Sequence, residues 1–484
     1  MGWGPAGSTF AWRAMAGVSM GAGLYLVTRH FLRRPWLAAA VSLVLMSDAG
    51  FMWARPVFMQ WMVAKGLLSD PQPGWMFGSH PVLLLHWRLM NPGVSFGALL
   101  LHIFFMDRAR LNPDRRRILL AGANLGLLFY VFFYFWTASV VALGLIWILD
   151  RTRRAVWFKV GCIGVAVGLP ALLFNAWITS HTNHDWPQRT ELFIPVSRLE
   201  GLSMTPVAIL LAVGGLLWVW CRHRSLLHLW AFSTAGLLLL NQHLLTGFTL
   251  CNDHWGYVRG LGFSLLFVLL AFLALMKLPW TTSRWFRVLT VVAVIIHAGL
   301  GFWFRVEETR HSRESATIIS DFHSFRSQRK AVLMKGGVIA GAARYVEFGQ
   351  LMDGLRPLER SAQLSTGVDN REWDGRSALD AWLQGQDRAT FESRQREFFE
   401  TCMGPWAHHP EMRAERVVNR LGIYDEVATA PLRWMDRFRV RYVALPVEQP
   451  APLYLQDGWK RIESKGRWQV WERVGSDAGA QRRL

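Results

Sequence analysis

Ile118–Leu149 reads ILLAGANLGLLFYVFFYFWTASVVALGLIWIL and contains no charged residue. At a helical rise of about 1.5 Å per residue it would extend about 48 Å, against about 30 Å for the hydrocarbon core of a bilayer. It is therefore either one over-long tilted helix or two short helices back to back. The choice decides on which side of a membrane everything downstream lies.

The rest of the chain is comparably apolar. Of its 484 residues 52% are hydrophobic, with 26 Trp and 30 Phe, which is too apolar for a soluble protein of this size. Apolar segments run at about 10–28, 35–54, 92–106, 118–132, 135–149, 156–178, 206–221, 226–240, 260–276 and 288–304. Several fall short of the ~20 residues of an ordinary span, as happens where the bilayer is thinned or where broken helices line a cavity. The formal charge of +19 is unevenly spread: residues 1–304 hold 24 Lys/Arg and 9 Asp/Glu, and residues 305–484 hold 29 and 25. The excess lies in short loops between apolar segments, where it fixes membrane orientation. No basic run with interleaved aromatics and no nucleic-acid-binding motif is present, which argues against a nucleic-acid partner. Cys162, Cys221, Cys251 and Cys402 form no CxxC pair and no metal-ligand spacing.

Orientation decides between the two readings of 118–149. Arg29, Arg33 and Arg34 lie in one loop, Arg108 to Arg117 in a second, Arg151 to Lys159 in a third, Arg222 and Arg224 in a fourth, and Lys277 to Arg287 in a fifth. These five hold 17 Lys/Arg, whereas the loops between them hold 6: Arg55, Lys65, Arg88, Arg189, Arg198 and Arg259. The alternation survives only if 118–149 crosses twice, with a turn near Phe133–Trp136 facing outward. Ten crossings follow, with both the N-terminus and the C-terminal part outside the cytoplasm. The expected architecture is a mainly α-helical polytopic membrane domain of about ten short transmembrane helices over 1–304. A non-cytoplasmic α/β domain follows over 305–474, and a polar tail without fixed structure over 475–484. In the α/β domain Gly337–Gly341 and Arg439–Leu445 read as strands. Ser377–Gln386 and Ala389–Cys402 read as helices, and Gly458–Val474 as a hairpin turning at Ser464–Gly466.

The non-cytoplasmic loops hold the candidate chemistry. The first, about 55–91, has helical spacing that suits a helix lying in the interface plane and carries Arg55 and Arg88, which are phosphate candidates or snorkelling residues. Asp48 is the one acid inside an apolar segment. A buried carboxylate there is a functional-site hypothesis by default, and the alternative is a helix cap, a pair with Arg55 or access to outer water. The second loop, 179–203, carries His184, Asp185, Arg189 and Glu191, in which an Arg can grip a phosphate bidentately. The third, 241–259, gathers Asn241, His243, Asp253, His254 and Arg259, types able to act as acid and base or to hold a metal–phosphate group. An ordinary solvated loop is the alternative for both. No phosphate-binding glycine loop, GxSxG elbow or Cys/His nucleophile pair accompanies them.

Arg88–Ser95 (RLMNPGVS), Ala121–Thr137 (AGANLGLLFYVFFYFWT), Asn241–Trp255 (NQHLLTGFTLCNDHW) and the tail YVALP…GWKRIESKGRWQVWER resemble bacterial members of the GT-C superfamily of polytopic membrane glycosyltransferases. So does the layout of short spans, outer loops and a C-terminal outer domain. The resemblance implies a multi-pass inner-membrane protein with its C-terminal domain on the periplasmic side. It implies transfer of a sugar from a polyisoprenyl-phosphate donor, with an outer carboxylate as base and Arg or a divalent metal holding the phosphate. If that reaction holds, the outer-side candidates read above divide into Asp48, Asp253 and His254 for catalysis and Arg55, Arg88, His184, Asp185, Arg189, Asn241, His243 and Arg259 for substrate binding, although Asp48 matches no motif of the family. Membrane lipid and the donor lipid are the implied partners. GT-C enzymes place a catalytic acid in a first outer loop after a span that begins in the cytoplasm. Nothing before residue 10 matches that span, so either an N-terminal piece is missing here or it has been lost, and a non-catalytic transporter or envelope-assembly partner stands as the alternative.

Overall fold

The computed structural model describes residues 5–47, 95–181, 192–195, 206–250, 253–311, 317, 320–326, 337–353, 355–359, 369–401, 410–455, 457–462 and 467–474. The chain is mainly α-helical with a small sheet. It divides into two compact units: Met1–Ile178, Ser197–Gly247 and Asn252–Glu307 form the first, and Thr179–Val196, Phe248–Cys251 and Glu308–Leu484 the second.

Each of the ten apolar segments forms a helix over most of its described residues. They are α1 (Pro5–Leu32), α2 (Pro35–Ser47), α3 (Ser95–Leu111), α4 (Arg115–Leu128), α5 (Phe133–Leu149), α6 (Arg154–His181), α7 (Pro206–Arg222), α8 (Leu227–Leu240), α10 (Asp253–Leu275) and α11 (Arg284–His311), with a single turn α9 (His243–Thr246) between α8 and α10. Arg151–His181, which adds a preceding 3₁₀ turn to α6, is long and apolar enough to cross a membrane by itself; Pro35–Met46, Phe133–Leu149, Arg224–Leu240 and Leu261–Leu275 are shorter apolar helices.

Ile118–Leu149 is therefore broken into two helices. Asp114 caps α4, its carboxylate accepting from the Arg117 amide at 2.8 Å. The break falls at Phe129–Phe132, not at Phe133–Trp136, and the latter four residues form the first turn of α5. No Gly or Pro marks the turn. Its amides close with i→i−3 bonds, Phe129 to Gly126, Tyr130 to Leu127 and Val131 to Leu128, and Phe132 is extended at φ −157°. Aromatic packing replaces the usual turn residues: Phe129 stacks on Trp136 at 4.4 Å between centroids, and Phe132 meets Phe135 edge-on at 4.9 Å.

Small residues bring α4 close to α6. A Cβ on Gly126 would lie 2.5 Å from Val167 Cβ and 2.7 Å from the Gly164 carbonyl oxygen, and one on Gly164 would meet Leu125 at 2.7 Å. Gly122 and Gly126 on α4 and Gly164 and Gly168 on α6, each pair at four-residue spacing, receive side chains of the facing helix, a packing mode frequent between helices in lipid. Away from this seam the helices show large apolar side chains outward, among them Phe158 (67% exposed) and Leu173 (61%) on α6 and Trp285 (75%) and Leu289 (65%) on α11.

Three ties made by charged side chains hold one end of this unit. His30 Nε2 meets Asp107 Oδ2 at 2.5 Å, Arg110 Nε donates to Asp150 Oδ2 at 3.3 Å, and Arg34 Nη1 donates to the Thr281 carbonyl at 3.5 Å. They join the ends of α1, α3 and α5 to the connection between α10 and α11. At the far end of α5, Trp255 in the first turn of α10 packs edge-on to Tyr134 at 5.1 Å and donates from Nε1 to Thr137 Oγ1 at 3.3 Å.

The second unit holds two sheets. β1 (Leu192–Pro195) and β2 (Phe248–Leu250) pair antiparallel, Leu192 opposite Leu250 and Pro195 opposite Phe248. The main sheet has β3 (Val338–Gly341), β4 (Arg356–Pro357), β5 (Val440–Pro446), β6 (Trp459–Ile462) and β7 (Trp468–Arg473) in the order β4-β3-β5-β7-β6. β3 is parallel to β4 and β5, and β7 is antiparallel to β5 and β6. Helices α12 (Ala343–Asp353), α13 (Asn370–Leu383), α14 (Arg388–Thr401), α15 (Pro410–Thr429) and α16 (Pro431–Phe438) complete it. The two strands and two helices read from sequence are present, and β6 and β7 pair antiparallel as the terminal hairpin requires, its turn at Ser464–Gly466 lying outside the described residues. α13 starts earlier than read, at a cap where Asp369 accepts from the Glu372 amide at 2.6 Å. The short α12 and β4 were not read. Nor were α15 and α16, whose apolar residues are interleaved with Arg and acidic residues. Two clusters form the core, one on each face of the sheet: Val443, Leu445, Trp373 and Leu421 belong to one, and Ile339, Tyr345, Tyr442 and Ala444 to the other.

Candidate functional site

The helical unit contains an apolar groove of about 630 Å³ between α4, α5 and α6. Leu125 and Phe129 come from α4 and its turn, Leu143 and Trp147 from α5, and Phe158 and Val165 from α6. It exists because Gly144 and Gly161 carry no side chain to fill it: a Cβ on Gly144 would meet nothing within 4 Å. The groove is lined by the stretch that opened the sequence reading. One to two turns along α5, Tyr134 and Thr137 meet Trp255, and Asp253 and His254 immediately precede Trp255 in the same helical turn.

The predicted site residues distribute as follows. Asp48, Arg55, Arg88, His184, Asp185 and Arg189 lie outside the described residues. Asp253, His254 and Arg259 occupy the first two turns of α10, a helical start where the sequence suggested loop. Asn241 and His243 are buried, at 5% and 3% exposure, and are not part of an open loop. Asn241 closes α8, its Nδ2 donating to the Leu237 carbonyl at 2.9 Å. The β1–β2 ladder brings the second and third loops side by side, which sequence could not establish. Among the described residues no three of His, Cys, Asp and Glu converge as a metal site requires.

The α/β unit has a second concavity, absent from the sequence reading. A cleft of about 650 Å³ opens where β3 and β4 end, lined by Glu347, Arg356, Glu359, Trp373, Asp380 and Phe398. Clefts of α/β folds lie at the carboxyl ends of parallel strands for reasons of topology. Gly341 makes the turn from β3 into α12 at φ +108°, and a Cβ there would strike the Ala444 carbonyl. Its amide is thereby free to donate to Asp380 Oδ1 at 2.8 Å, and Gln384 Nε2 donates to Oδ2 at 2.6 Å. Burial, and secondarily the charge of Glu359, push the Asp380 carboxyl up from 3.8 to about 8, outweighing these two donors. Burial and the charge of Asp380 raise the Tyr454 hydroxyl, which donates to the Leu383 carbonyl.

Behind the cleft wall, Asp374 Oδ1 accepts from Arg416 Nη2 at 2.5 Å and Arg420 Nε at 2.8 Å. Arg420 also lies over the Trp373 ring at 4.2 Å and donates to Gln395. The strand–glycine–helix run VIAGAARY at 338–345 was the one sequence signal for this cleft. Its acids come from positions far from that run. No protein-family model matches the chain, and no curated protein matches it.

Proposed function

We propose that the protein is a multi-span membrane glycosyltransferase-like protein of the GT-C type that takes a sugar from a polyisoprenyl-phosphate donor on the non-cytoplasmic face. One observation carries this reading: the apolar groove of α4, α5 and α6 runs along the helix whose first turns touch Trp255, beside Asp253 and His254. An isoprenoid tail needs a long, unpolar trough open to lipid. A phosphate and sugar need charged groups at one end of it. In this reading the phosphate sits at the Phe129–Phe132 end. His254 or Asp253 takes the acceptor proton, and Arg259 with the arginines of the outer loops neutralises the leaving phosphate. Asn241 and His243 hold the loop that leads to α10.

The test uses the full chain in lipid nanodiscs with a polyisoprenyl-phosphate-linked radiolabelled hexose, scoring transfer of label out of the donor. His254→Ala and Asp253→Asn are expected to abolish transfer. Leu143→Trp, which fills the groove, is expected to raise KM for a long-chain donor about tenfold while leaving a short-chain donor unaffected. Equal turnover of the long donor by the filled variant would remove the groove from the mechanism. Full transfer by both site variants would remove α10 from it.

A further inference from the structure

Two histidines in the helical unit have no described role. His102 lies in the middle of α3 and His228 in the first turn of α8, and they are 0% and 1% exposed. Their rings meet edge-on, 5.6 Å between centroids at 70°. None of the four ring nitrogens has a hydrogen-bond partner. A neutral imidazole has one donor and one acceptor, and the great majority of buried polar groups are satisfied. Two adjacent fully buried imidazoles with every nitrogen unpaired present at least two nitrogen lone pairs to a common ligand.

Geometry and charge narrow the occupant. A metal about 2.0 Å from one nitrogen of each ring would lie about 3.2 Å from each centroid, so rings 5.6 Å apart subtend about 120–130° at it. That angle suits three-coordinate binding and is too acute for two-coordinate linear binding. Met106 is buried four positions after His102, on the same face of α3, and is the soft donor that helical spacing offers to His102. The nearest carboxylate on α3, Asp107, is engaged by His30, and Asp150 by Arg110. Two neutral imidazoles and a thioether leave a metal's charge uncompensated in apolar surroundings, where the cost rises with the square of that charge. A monovalent, soft, nitrogen- and sulfur-seeking ion fits; a divalent one does not.

We propose that His102 and His228 bind one copper(I) ion, with Met106 on the same helical face as the third donor. The site stands apart from the groove and from the α10 residues of the transfer reaction, and needs no oxidant or reductant to form.

The full chain, purified anaerobically in detergent, is titrated with copper(I) against the chromogenic chelator bathocuproine disulfonate. One copper(I) per chain is expected to be withdrawn from the chelator. His102→Gln and His228→Gln are each expected to weaken binding by about tenfold or more, and the double variant no further. X-ray absorption of the copper-loaded wild-type chain is expected to show imidazole scattering from two rings, a readout that needs no variant to fold. Any of three results would overturn the proposal: the chelator keeps all the copper, the single variants bind as tightly as wild type, or the spectrum lacks imidazole. Zinc(II) competing on equal terms would overturn the charge argument and the proposal with it.

Discussion

Asp374 shows how one carboxylate can hold together a region that sequence leaves unconnected. It is 1% exposed and accepts from two arginines of α15, 42 and 46 residues away. Removing its charge strands both guanidinium groups beside Trp373. Asp374→Asn is expected to destabilise the α/β unit by about 3–5 kcal/mol, read as a lower denaturant midpoint for protease protection of residues after 337 in the full chain. Arg371→Ala, which breaks an exposed pair with Glu426 at 2.7 Å, should cost under about 1 kcal/mol in the same assay. Asp380 gives a pH signature. Its folded pKa, about 8, lies above its ordinary 3.8, so between these values the folded state holds a proton that the unfolded state has lost. The contribution is complete below about pH 4 and is lost as pH rises through about 8. Stability of this unit should fall across that window, and Asp380→Asn, which retains an acceptor for Gly341, should flatten the slope. A steeper or unchanged slope would show that the proton sits elsewhere. Neither acid stood out in the sequence, because burial and partners of distant origin make them what they are. Asp253, His254 and Arg259 did stand out, since they interrupt an apolar pattern locally.

At the scale of elements, the hairpin α4–α5 was legible as a count of charges and not as a turn. The loops on either side of it are basic, and only a double crossing keeps them in register. The turn itself carries aromatics where Gly, Asn or Pro would signal a break. Its position was therefore displaced by about one helical turn. The glycine seam of GANLG and GVAVG was not read from the sequence, and its partners follow only from the approach of α4 to α6. A substitution separates seam from groove. Gly126→Val should separate α4 from α6, because its Cβ meets Val167 and the Gly164 carbonyl at 2.5 and 2.7 Å, whereas Gly144→Val points into open space. Thermal aggregation of the full chain in detergent should begin several degrees lower for Gly126→Val, by about 2–3 kcal/mol of overpacking, and be unchanged for Gly144→Val. Gly144→Val should instead compete with a long-chain lipid for the groove. Equal melting of the two variants would mean that α4 and α6 do not pack through these glycines.

For the whole molecule, the division into a helical and an α/β unit follows the change in composition near residue 304, because only the later part has enough charged residues to surround a sheet with solvated helices. How many helices cross a membrane is a separate question from how many exist. Length and apolar composition together single out Arg151–His181 among the described residues, while the shorter apolar helices would cross only with tilt, thinning or snorkelling. The argument for their crossing is collective. His30–Asp107, Arg110–Asp150 and Arg34–Thr281 tie the basic connections to one end of the helical unit, and the uncharged turn at Phe129–Phe132 lies at the other end of α5. Such segregation is what a bilayer selects, since positive loops resist translocation. It predicts that a reporter active only in the cytoplasm, fused after Arg153, is active, and that one fused after Glu307 is silent, with a periplasm-dependent reporter giving the reverse. Cytoplasmic activity at both positions would mean that an even number of crossings separates Arg153 from Glu307, in place of the odd number that puts Glu307 on the non-cytoplasmic side. The Asp253–His254 turn would then lose its place on the side where a polyisoprenyl-phosphate sugar is used, and the proposed transfer reaction would fall with it.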